Sequence, residues 1–216
     1  MNDWIAADWS APRHIVAGTM LKGTGESTLP LPGNPCYLNQ VHGSKVVIAG
    51  RFDSPPSADG SVSGNSKYVC VVRTADCLPV LLCSADGSVF GAAHAGWRGL
   101  AAGVIENTIA ALSADPAEVL VWLGPAISQP SFEVGEEVRA VFVKVDPKAA
   151  ECFVANSRGR WQADLYGLAK QRLLAAGVRN ISGGGYCTYL DEQRFHSYRR
   201  DPACGRMVSF VGSNAP

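Results

Sequence analysis

Two histidines and one cysteine, His42, Cys77 and His94, are the residues of this sequence best suited to metal chemistry. Each lies in a short segment that contains glycine or borders an apolar run, where side chains from distant parts of a chain can converge. The segments read Asn39-Gln40-Val41-His42-Gly43, Arg73-Thr74-Ala75-Asp76-Cys77-Leu78-Pro79 and Ala92-Ala93-His94-Ala95-Gly96-Trp97-Arg98-Gly99. A catalytic zinc ion usually has three protein ligands, often imidazole or thiolate, and one water molecule. The sequence therefore predicts an open zinc site, with copper as the less favoured metal.

Short apolar runs rich in β-branched residues flank these segments. Residues 68–72 and 78–83 are predicted to be buried strands, and residues 88–93 are predicted to return beside the second strand. Between these two strands, Asp86-Gly87 tolerates the positive φ angles of a tight hairpin. This arrangement delivers His94 to the end of a strand.

The sequence after Gly96 changes to helical spacing. Apolar residues at positions 100, 104, 105, 109 and 112 predict one helix over about 97–112, whose first turn lies beside His94 and Arg98. Asp115-Pro116 ends this helix, and residues 119–123 are then predicted to form another buried strand.

Two further helices are predicted from apolar spacing, over about 134–145 and about 165–176. Asp164 is the expected N-cap of the last helix, and Gly177 is its expected stop. The stretch 54–66 is rich in proline, glycine and serine and is interpreted as a surface loop. Because strands alternate with helices and a hairpin adds antiparallel pairing, we predict an α/β (α+β layered) domain with a mixed β-sheet sandwiched by helices.

Length and composition limit the classes of function. The 216 residues are 47% hydrophobic, and we expect them to form a single domain over 1–216. Nineteen basic and nineteen acidic residues cancel, so we expect no nucleic-acid partner and no membrane partner. Seven cysteines, an odd number, and an N-terminal segment without a signal-peptide pattern favour reduced thiols and a cytoplasmic location.

The same segments resemble the YfiH family, also called the polyphenol oxidase or laccase-domain family. The resemblance extends in family order from about residue 35 to about residue 210. Beyond the segments quoted above, it rests on Gly124-Pro125-Ala126-Ile127, Phe132-Glu133-Val134-Gly135, Cys187-Thr188-Tyr189 and Ser197-Tyr198-Arg199-Arg200-Asp201. The resemblance implies an α/β sandwich in which His42, Cys77 and His94 hold zinc. It also implies phosphorolysis of adenosine, inosine and methylthioadenosine, with adenosine deamination at the same site.

The resemblance weakens before residue 35, where the N-terminal region is shorter than in the family. Relatives usually have a Ser-Thr-Arg-x-Gly-Gly segment, and here Lys22 stands in place of its arginine. Lysine keeps the positive charge but loses the planar fork that binds phosphate at two points. Lys22 is therefore a weaker candidate for substrate binding than the family arginine would be.

Three other residues are assigned roles from their positions beside the predicted metal ligands. Arg98 is expected to bind phosphate, because it lies near a helix N-terminus where backbone N–H groups also favour anions. Asp76 is the candidate for proton transfer during deamination, and Gln40 is expected to orient a ligand or to support His42. We favour phosphorolysis over deamination as the main activity.

Three alternative functions have different requirements. A multicopper laccase needs roughly ten histidine ligands, and this chain contains only four histidines, so we disfavour it. A cysteine hydrolase would use Cys77 as nucleophile and His94 as base, for example to remove a misincorporated serine from a peptidoglycan precursor. A zinc- and nucleoside-binding module without turnover is the third alternative. Metal content separates the hydrolase from the zinc enzyme, because a tightly bound thiolate is a poor nucleophile.

Overall fold

The computed structural model describes residues 3–214 and contains three β-sheets and four α-helices. Met1 and Asn2 lie outside the described residues. They begin the N-terminal segment that lacks a signal-peptide pattern. The strands are β1 Trp4–Ala6, β2 Ile15–Met20, β3 Asn34–Cys36, β4 Val46–Ile48, β5 Gly60–Ser63, β6 Tyr68–Thr74, β7 Leu78–Ser84, β8 Phe90–Ala95, β9 Val119–Leu123, β10 Glu133–Val134, β11 Phe153–Ala155, β12 Trp161–Ala163, β13 Asn180–Gly183 and β14 Met207–Ser213. The α-helices are α1 Trp97–Ala101, α2 Val104–Leu112, α3 Glu136–Val145 and α4 Leu165–Ala175. Short 3-10 helices cover Glu26–Thr28, Pro116–Glu118, Gln129–Ser131 and Pro147–Cys152.

The strands form a layered mixed fold. The six-stranded sheet has the order β13-β9-β7-β8-β5-β4, and the five-stranded sheet has the order β1-β2-β14-β6-β3. Both sheets contain parallel and antiparallel pairs, while the three-stranded sheet β10-β12-β11 is antiparallel. The prediction of a mixed α/β fold is confirmed.

Apolar side chains fill the spaces between the layers. One cluster lies between the two large sheets and includes Cys70 and Val72 of β6 with Phe90 of β8 and Trp122 of β9. A larger cluster joins the opposite face of the six-stranded sheet to α2, α3 and α4. The six-stranded sheet therefore has helices on one face and the second sheet on the other, so both its faces are buried. This double burial explains why its central strands are continuous apolar runs.

The predicted hairpin is confirmed. Strands β7 and β8 pair in antiparallel fashion, and Gly87 in the turn between them has a φ of +70°. Every residue of both strands is buried, so the hairpin is a rigid element at the centre of the six-stranded sheet.

The helix predicted over 97–112 is wrong as a single element. The structure has two helices, α1 and α2, separated at Ala102 and at Gly103, whose φ is +92°. A left-handed residue cannot continue a right-handed helix, although the apolar spacing continues through the break because both helices pack on the same sheet.

The two later helices follow their predictions closely. Helix α3 begins two residues after Val134, which belongs to the short strand β10 instead. Helix α4 begins after Asp164, whose side chain accepts a hydrogen bond from the Gly167 N–H at 2.9 Å, and this confirms the predicted N-cap. Gly177 follows the helix with a φ of +96°, as expected for a residue that stops a helix.

The prediction of a surface loop over 54–66 is wrong for residues 58–63, which are all buried, whereas residues 64 and 65 are exposed. Asp59 and all four residues of β5 are buried, and β5 lies between β8 and β4 in the six-stranded sheet. Its small residues, Gly60-Ser61-Val62-Ser63, resemble a loop in composition, but they allow close packing. A Cβ atom at Gly60 would lie 2.9 Å from Thr108 Oγ1 of α2, which explains why glycine is needed there.

Among residues 3–214, no helix is both long enough and apolar enough to cross a membrane.

Candidate metal centre and adjoining pocket

The structure brings together the three residues that the sequence singled out. One ligand atom from each of His42, Cys77 and His94 lies within 4.8 Å of the others. The two imidazole ring centres are 4.7 Å apart. The three residues differ in exposure, because His94 is buried, Cys77 is half-buried and His42 is exposed. The cluster therefore opens to solvent on the His42 side.

The pairing of β7 with β8 positions two of the three donors. In this antiparallel register, His94 lies opposite Pro79, and Ala95 lies opposite Leu78. Cys77 immediately precedes β7, so the same register places it beside the end of β8. The rigid hairpin thus fixes the thiol and one imidazole at the same edge of the sheet.

A buried carboxylate, Asp59, holds the loop that carries His42. Asp59 is fully buried, and its oxygens accept hydrogen bonds from the backbone N–H groups of Val41, His42 and Gly43 at 2.7–3.2 Å. His42 has a φ of +59°, an unusual value for a residue other than glycine. Three hydrogen bonds to one charged group stabilise this strained turn and aim its side chain at the cluster.

The same carboxylate orients His94. Asp59 Oδ1 lies 2.8 Å from His94 Nδ1, which leaves His94 Nε2 as the ring nitrogen available to a metal. Burial raises the pKa of Asp59, but the hydrogen bonds and charge from His94 and the hydrogen bonds from Gly43 and Val41 outweigh it and lower the pKa. Asp59 was missed from the sequence because it lies in the stretch interpreted as a loop. The available signal was an acidic residue directly before a short run of mostly small residues, Gly60-Ser61-Val62-Ser63.

Electrostatics favour charged forms within the cluster. Burial alone would raise the pKa of the Cys77 thiol, but hydrogen bonds and charge from His42 and His94 lower it to about 6. Burial alone would lower the pKa of His94, but Asp59 and Cys77 raise it to about 9. Without a metal, the two shifts favour a thiolate on Cys77 and an imidazolium on His94. A metal cation would take the place of the imidazolium proton.

Gly96 leaves space for an ion beside these donors. A Cβ atom at this position would lie 2.9 Å from Cys77 Sγ and 3.0 Å from His42 Nδ1, so any larger residue would intrude between them. The backbone of Gly96 is extended, with a φ of −61°, so local conformation does not require glycine. Two nitrogen donors, one thiolate and this cradle fit a three-ligand zinc site.

The donors lie in a pocket of about 610 Å³. Four arginines contribute to its wall, namely Arg73, Arg98, Arg199 and Arg206. Asp76 is the one acidic residue among the lining residues that the structure describes. The wall is therefore strongly positive and suits an anionic substrate. Of these four arginines, only Arg98 was assigned a role from the sequence, although Arg73 lies in the Cys77 segment and Arg199 lies in a segment that matches the family.

Arg98 is exposed, and its guanidinium lies over the Trp97 ring, 4.4 Å from the ring centre. Its helix, α1, has only five residues and no side-chain cap, so the helix dipole adds little to anion binding. The expected phosphate role of Arg98 therefore rests on its guanidinium.

Gln40 lines the pocket, but both ends of its amide are occupied. Its Nε2 donates to the Arg73 carbonyl at 2.9 Å, and its Oε1 accepts from the Arg73 N–H at 2.7 Å. These two bonds fasten the loop before His42 to β6. Of the two roles expected for Gln40, the geometry favours support of the His42 loop over contact with a ligand.

Asp76 connects the metal-ligand segment to the C-terminal part of the chain. Its Oδ1 accepts a hydrogen bond from Thr188 Oγ1 at 2.6 Å, and its Oδ2 accepts one from the Arg199 N–H at 2.7 Å. Because both carboxylate oxygens have partners, Asp76 is better placed to hold the Arg199 segment than to exchange protons with a ligand.

Lys22 does not line the pocket. It is exposed, and its Nζ donates to the Glu192 carbonyl at 3.2 Å. Its charge nevertheless affects His196. The pKa of His196 is lowered by burial and by the positive charges of Lys22, Arg200 and Arg206. Lys22 thus lies beside the Glu192–Arg194 segment, outside the pocket lining.

Comparison with known proteins gives consistent results. A family model described as multi-copper polyphenol oxidoreductase laccase matches residues 25–214. The chain is 49% identical over 182 residues to purine nucleoside phosphorylase YfiH of Escherichia coli strain K12, covering 84% of this chain and 74% of that protein. It is 42% identical over 243 residues to purine nucleoside phosphorylase PA4543 of Pseudomonas aeruginosa, covering 98% of each.

Two crystal structures are similar over nearly the whole chain. Neisseria meningitidis protein NMB0706, described as family DUF152, has a TM-score of 0.94 at 38% identity, covering 99% of this chain and 100% of that one. YlmD from Geobacillus stearothermophilus has a TM-score of 0.90 at 25% identity, covering 99% of this chain and 97% of that one.

Proposed function

Since this chain belongs to the multi-copper polyphenol oxidoreductase laccase family, with relatives named purine nucleoside phosphorylase, we propose that it is a zinc-dependent enzyme that cleaves purine nucleosides with phosphate. The proposed substrates are adenosine, inosine and methylthioadenosine, and adenosine deamination is a secondary activity of the same site. One observation supports this most strongly: the pocket places four arginines around the His42, Cys77 and His94 donors.

Phosphorolysis requires an anion and a nucleoside to be oriented together. A phosphate oxygen forms a bond to ribose C1′ while the bond from C1′ to N9 of the base breaks. The electron pair leaves with the base, which takes up a proton. The products are a free purine and ribose 1-phosphate, or 5-methylthioribose 1-phosphate when the substrate is methylthioadenosine. Most of the catalytic effect comes from orientation and from stabilised charge. Zinc held by His42, Cys77 and His94 would supply a Lewis-acid charge in the pocket.

In this proposal, Arg98 binds the attacking phosphate. Its guanidinium lies at the pocket wall, over the Trp97 ring. A planar guanidinium donates two parallel hydrogen bonds to phosphate, which both binds and orients it.

A direct test measures the metal content of the purified protein and then its action on adenosine, inosine and methylthioadenosine, with and without phosphate. Phosphate-dependent release of the base supports the proposal, while phosphate-independent formation of inosine indicates deamination as the main activity. Cys77→Ala is the negative control, because it removes one of the three donors.

A second experiment assigns the phosphate site. Arg98→Ala is expected to raise the phosphate KM by roughly tenfold or more, since a charge-assisted bidentate contact contributes about 1.5–3 kcal/mol. Arg98→Lys should recover part of the loss. Arg179, an exposed arginine that bonds the Leu174 carbonyl and does not line the pocket, provides the matched control Arg179→Ala. An unchanged phosphate KM in Arg98→Ala would remove Arg98 from this role.

The laccase activity in the family description is disfavoured as a proposal. The described residues contain one cluster of three potential metal ligands, whereas a multicopper oxidase needs several such clusters. The chain has only four histidines to supply them.

A cysteine hydrolase is the second candidate, and the lowered pKa of Cys77 beside His94 favours it. A thiolate next to an imidazolium is the arrangement that an activated cysteine nucleophile needs. Release of serine from a peptidoglycan precursor by metal-free protein, without nucleoside turnover, would support this candidate. Silence in every assay, with nucleoside binding retained, would support a binding module.

A further inference from the structure

Three aromatic side chains line the pocket, and they differ in how much ring surface a ligand can reach. Trp97 is partly buried against the helix-side core, and the Arg98 guanidinium lies 4.4 Å from its ring centre, closer than the arginines beside the other two rings. Phe132 is only 9% exposed, with the Arg199 guanidinium 5.5 Å from its ring centre. Tyr198 is 54% exposed. Of these three side chains, Tyr198 is therefore the most exposed.

The backbone on both sides of Tyr198 is firmly held. Ser197 is fully buried, and its carbonyl accepts a hydrogen bond from the Asp201 N–H at 2.9 Å. The Arg199 N–H donates to the buried carboxylate of Asp76 at 2.7 Å. An exposed ring on a fixed backbone loses little conformational entropy when a ligand stacks on it.

Arg200 also stabilises the turn that carries Tyr198. Its guanidinium donates to the carbonyls of Thr188, Tyr189 and Phe195 at distances of 2.7–2.9 Å. Three charge-assisted hydrogen bonds join the turn to the preceding segment. The exposure of Tyr198 is therefore a property of an ordered structure, unlike that of a side chain on a loosely held loop.

Neighbouring charge also suits a flat heterocycle. The Arg206 guanidinium lies 5.7 Å from the Tyr198 ring centre and lines the same pocket. An aromatic ring beside a guanidinium is a common surface for a nucleobase, because both groups interact with its π-face. Stacking tolerates different bases, since every base has a π-face, and it strengthens with ring area.

We propose that Tyr198 is the stacking surface for the purine base and thereby a specificity-determining residue of this pocket. The inference rests on the proposed nucleoside function and extends it. Stacking explains how one site can accept both adenine and hypoxanthine, which differ in their hydrogen-bonding groups, while favouring the larger purine ring over a pyrimidine.

The test compares Tyr198→Ala, Tyr198→Phe and Tyr189→Ala. Tyr189 is a matched control, because it is also an exposed tyrosine, at 38%, and it does not line the pocket. In Tyr198→Ala, the KM for adenosine and for inosine should rise by roughly tenfold or more, as expected for the loss of one base stack. The phosphate KM and kcat should change little, and both Tyr198→Phe and Tyr189→Ala should behave like the wild type.

The reverse reaction isolates the base. With a free purine and ribose 1-phosphate as substrates, Tyr198→Ala should raise the KM of the purine and leave the KM of ribose 1-phosphate unchanged. An unchanged nucleoside KM, or an equal loss for phosphate and nucleoside, would overturn the inference.

The inference can also be tested if the proposed function fails. If the wild type shows no phosphate-dependent release of base, calorimetric binding of adenosine to the wild type and to Tyr198→Ala decides the inference independently of turnover. Weaker binding by the variant supports a stacking surface. Equal binding, or no binding by either protein, overturns it.

Discussion

The donor end of the pocket and its arginine rim are held by different interactions. The donor end, His42, Cys77 and His94, is fixed by the β7–β8 hairpin and by the buried Asp59 carboxylate. The rim, which consists of Arg73, Arg98, Arg199 and Arg206, lies at the wall of the pocket. Its guanidiniums lie over aromatic rings, at 4.4–5.7 Å from the ring centres.

Because of this difference, mutations at the donor end and mutations at the rim should have different effects. Buried, charge-assisted hydrogen bonds have no water to replace a lost partner, so a change at the donor end should be costly. Exposed charges are screened, and a neighbouring arginine compensates in part, so a change at the rim should be milder. We therefore expect donor-end variants to lose metal and rim variants to lose substrate affinity.

The largest effect is expected from Gly96→Ala at the donor end. The added Cβ would lie 2.9 Å from Cys77 Sγ and would displace the thiol or fill the space for the ion. Zinc bound after purification should fall from about one ion per chain to near zero, as measured by elemental analysis, and activity should fall with it.

Gly64→Ala is the control for this variant. A Cβ atom at Gly64 would meet its nearest neighbours at 3.5 Å, an ordinary contact distance, so metal content should be unchanged. Full zinc occupancy in Gly96→Ala would show that the donor end is more adaptable than its packing indicates.

The next largest effect is expected from Asp59→Asn. Asparagine keeps the shape but removes the charge that orients the His94 ring and stabilises the His42 turn. Loss of such a supporting carboxylate typically weakens metal binding 10–100-fold. Competition with a chromophoric chelator measures this affinity, and Asp53→Asn, at an exposed carboxylate, is the control. An unchanged zinc affinity would limit Asp59 to a role in folding.

Asp76→Asn tests the connection between the two regions. Asp76 precedes the donor Cys77 and accepts hydrogen bonds from Thr188 and from the Arg199 N–H of the rim. Asparagine tolerates the φ of +87° at this position but loses the charge and one acceptor. Stability should fall by about 1–3 kcal/mol in urea denaturation, while zinc affinity should change little. Deaminase activity lost without any loss of stability would instead support proton transfer by Asp76.

The contrast between the regions also determines what could be predicted from the sequence. His42, Cys77 and His94 stand out because each lies in a local pattern of polar and glycine residues beside an apolar strand. Asp59 does not, because its importance arises from β5, whose small residues look like a loop until the sheet surrounds them.

The rim was harder to predict for a related reason. Arg199 and Arg206 reach the pocket only because the C-terminal part of the chain packs back against Asp76. There the Thr188 hydroxyl and the Arg199 N–H bond a carboxylate more than a hundred residues earlier in the sequence. The break at Gly103 has the same origin, since glycine permits the left-handed turn but does not require it. Local periodicity predicts elements, whereas contacts between distant segments decide which side chains meet.

The smallest effect is expected from Lys22→Ala, outside the pocket lining. Lys22 is exposed, does not line the pocket and bonds only the Glu192 carbonyl among the hydrogen bonds described for its side chain. Its charge acts at a distance and is screened by salt, so the phosphate KM should change by no more than about twofold at physiological ionic strength. Steady-state kinetics at low and high salt measure this, with Arg98→Ala as the reference for a direct contact. A loss as large as that of Arg98→Ala would place Lys22 in the binding site during turnover, and would mean that the segment carrying it moves toward the substrate.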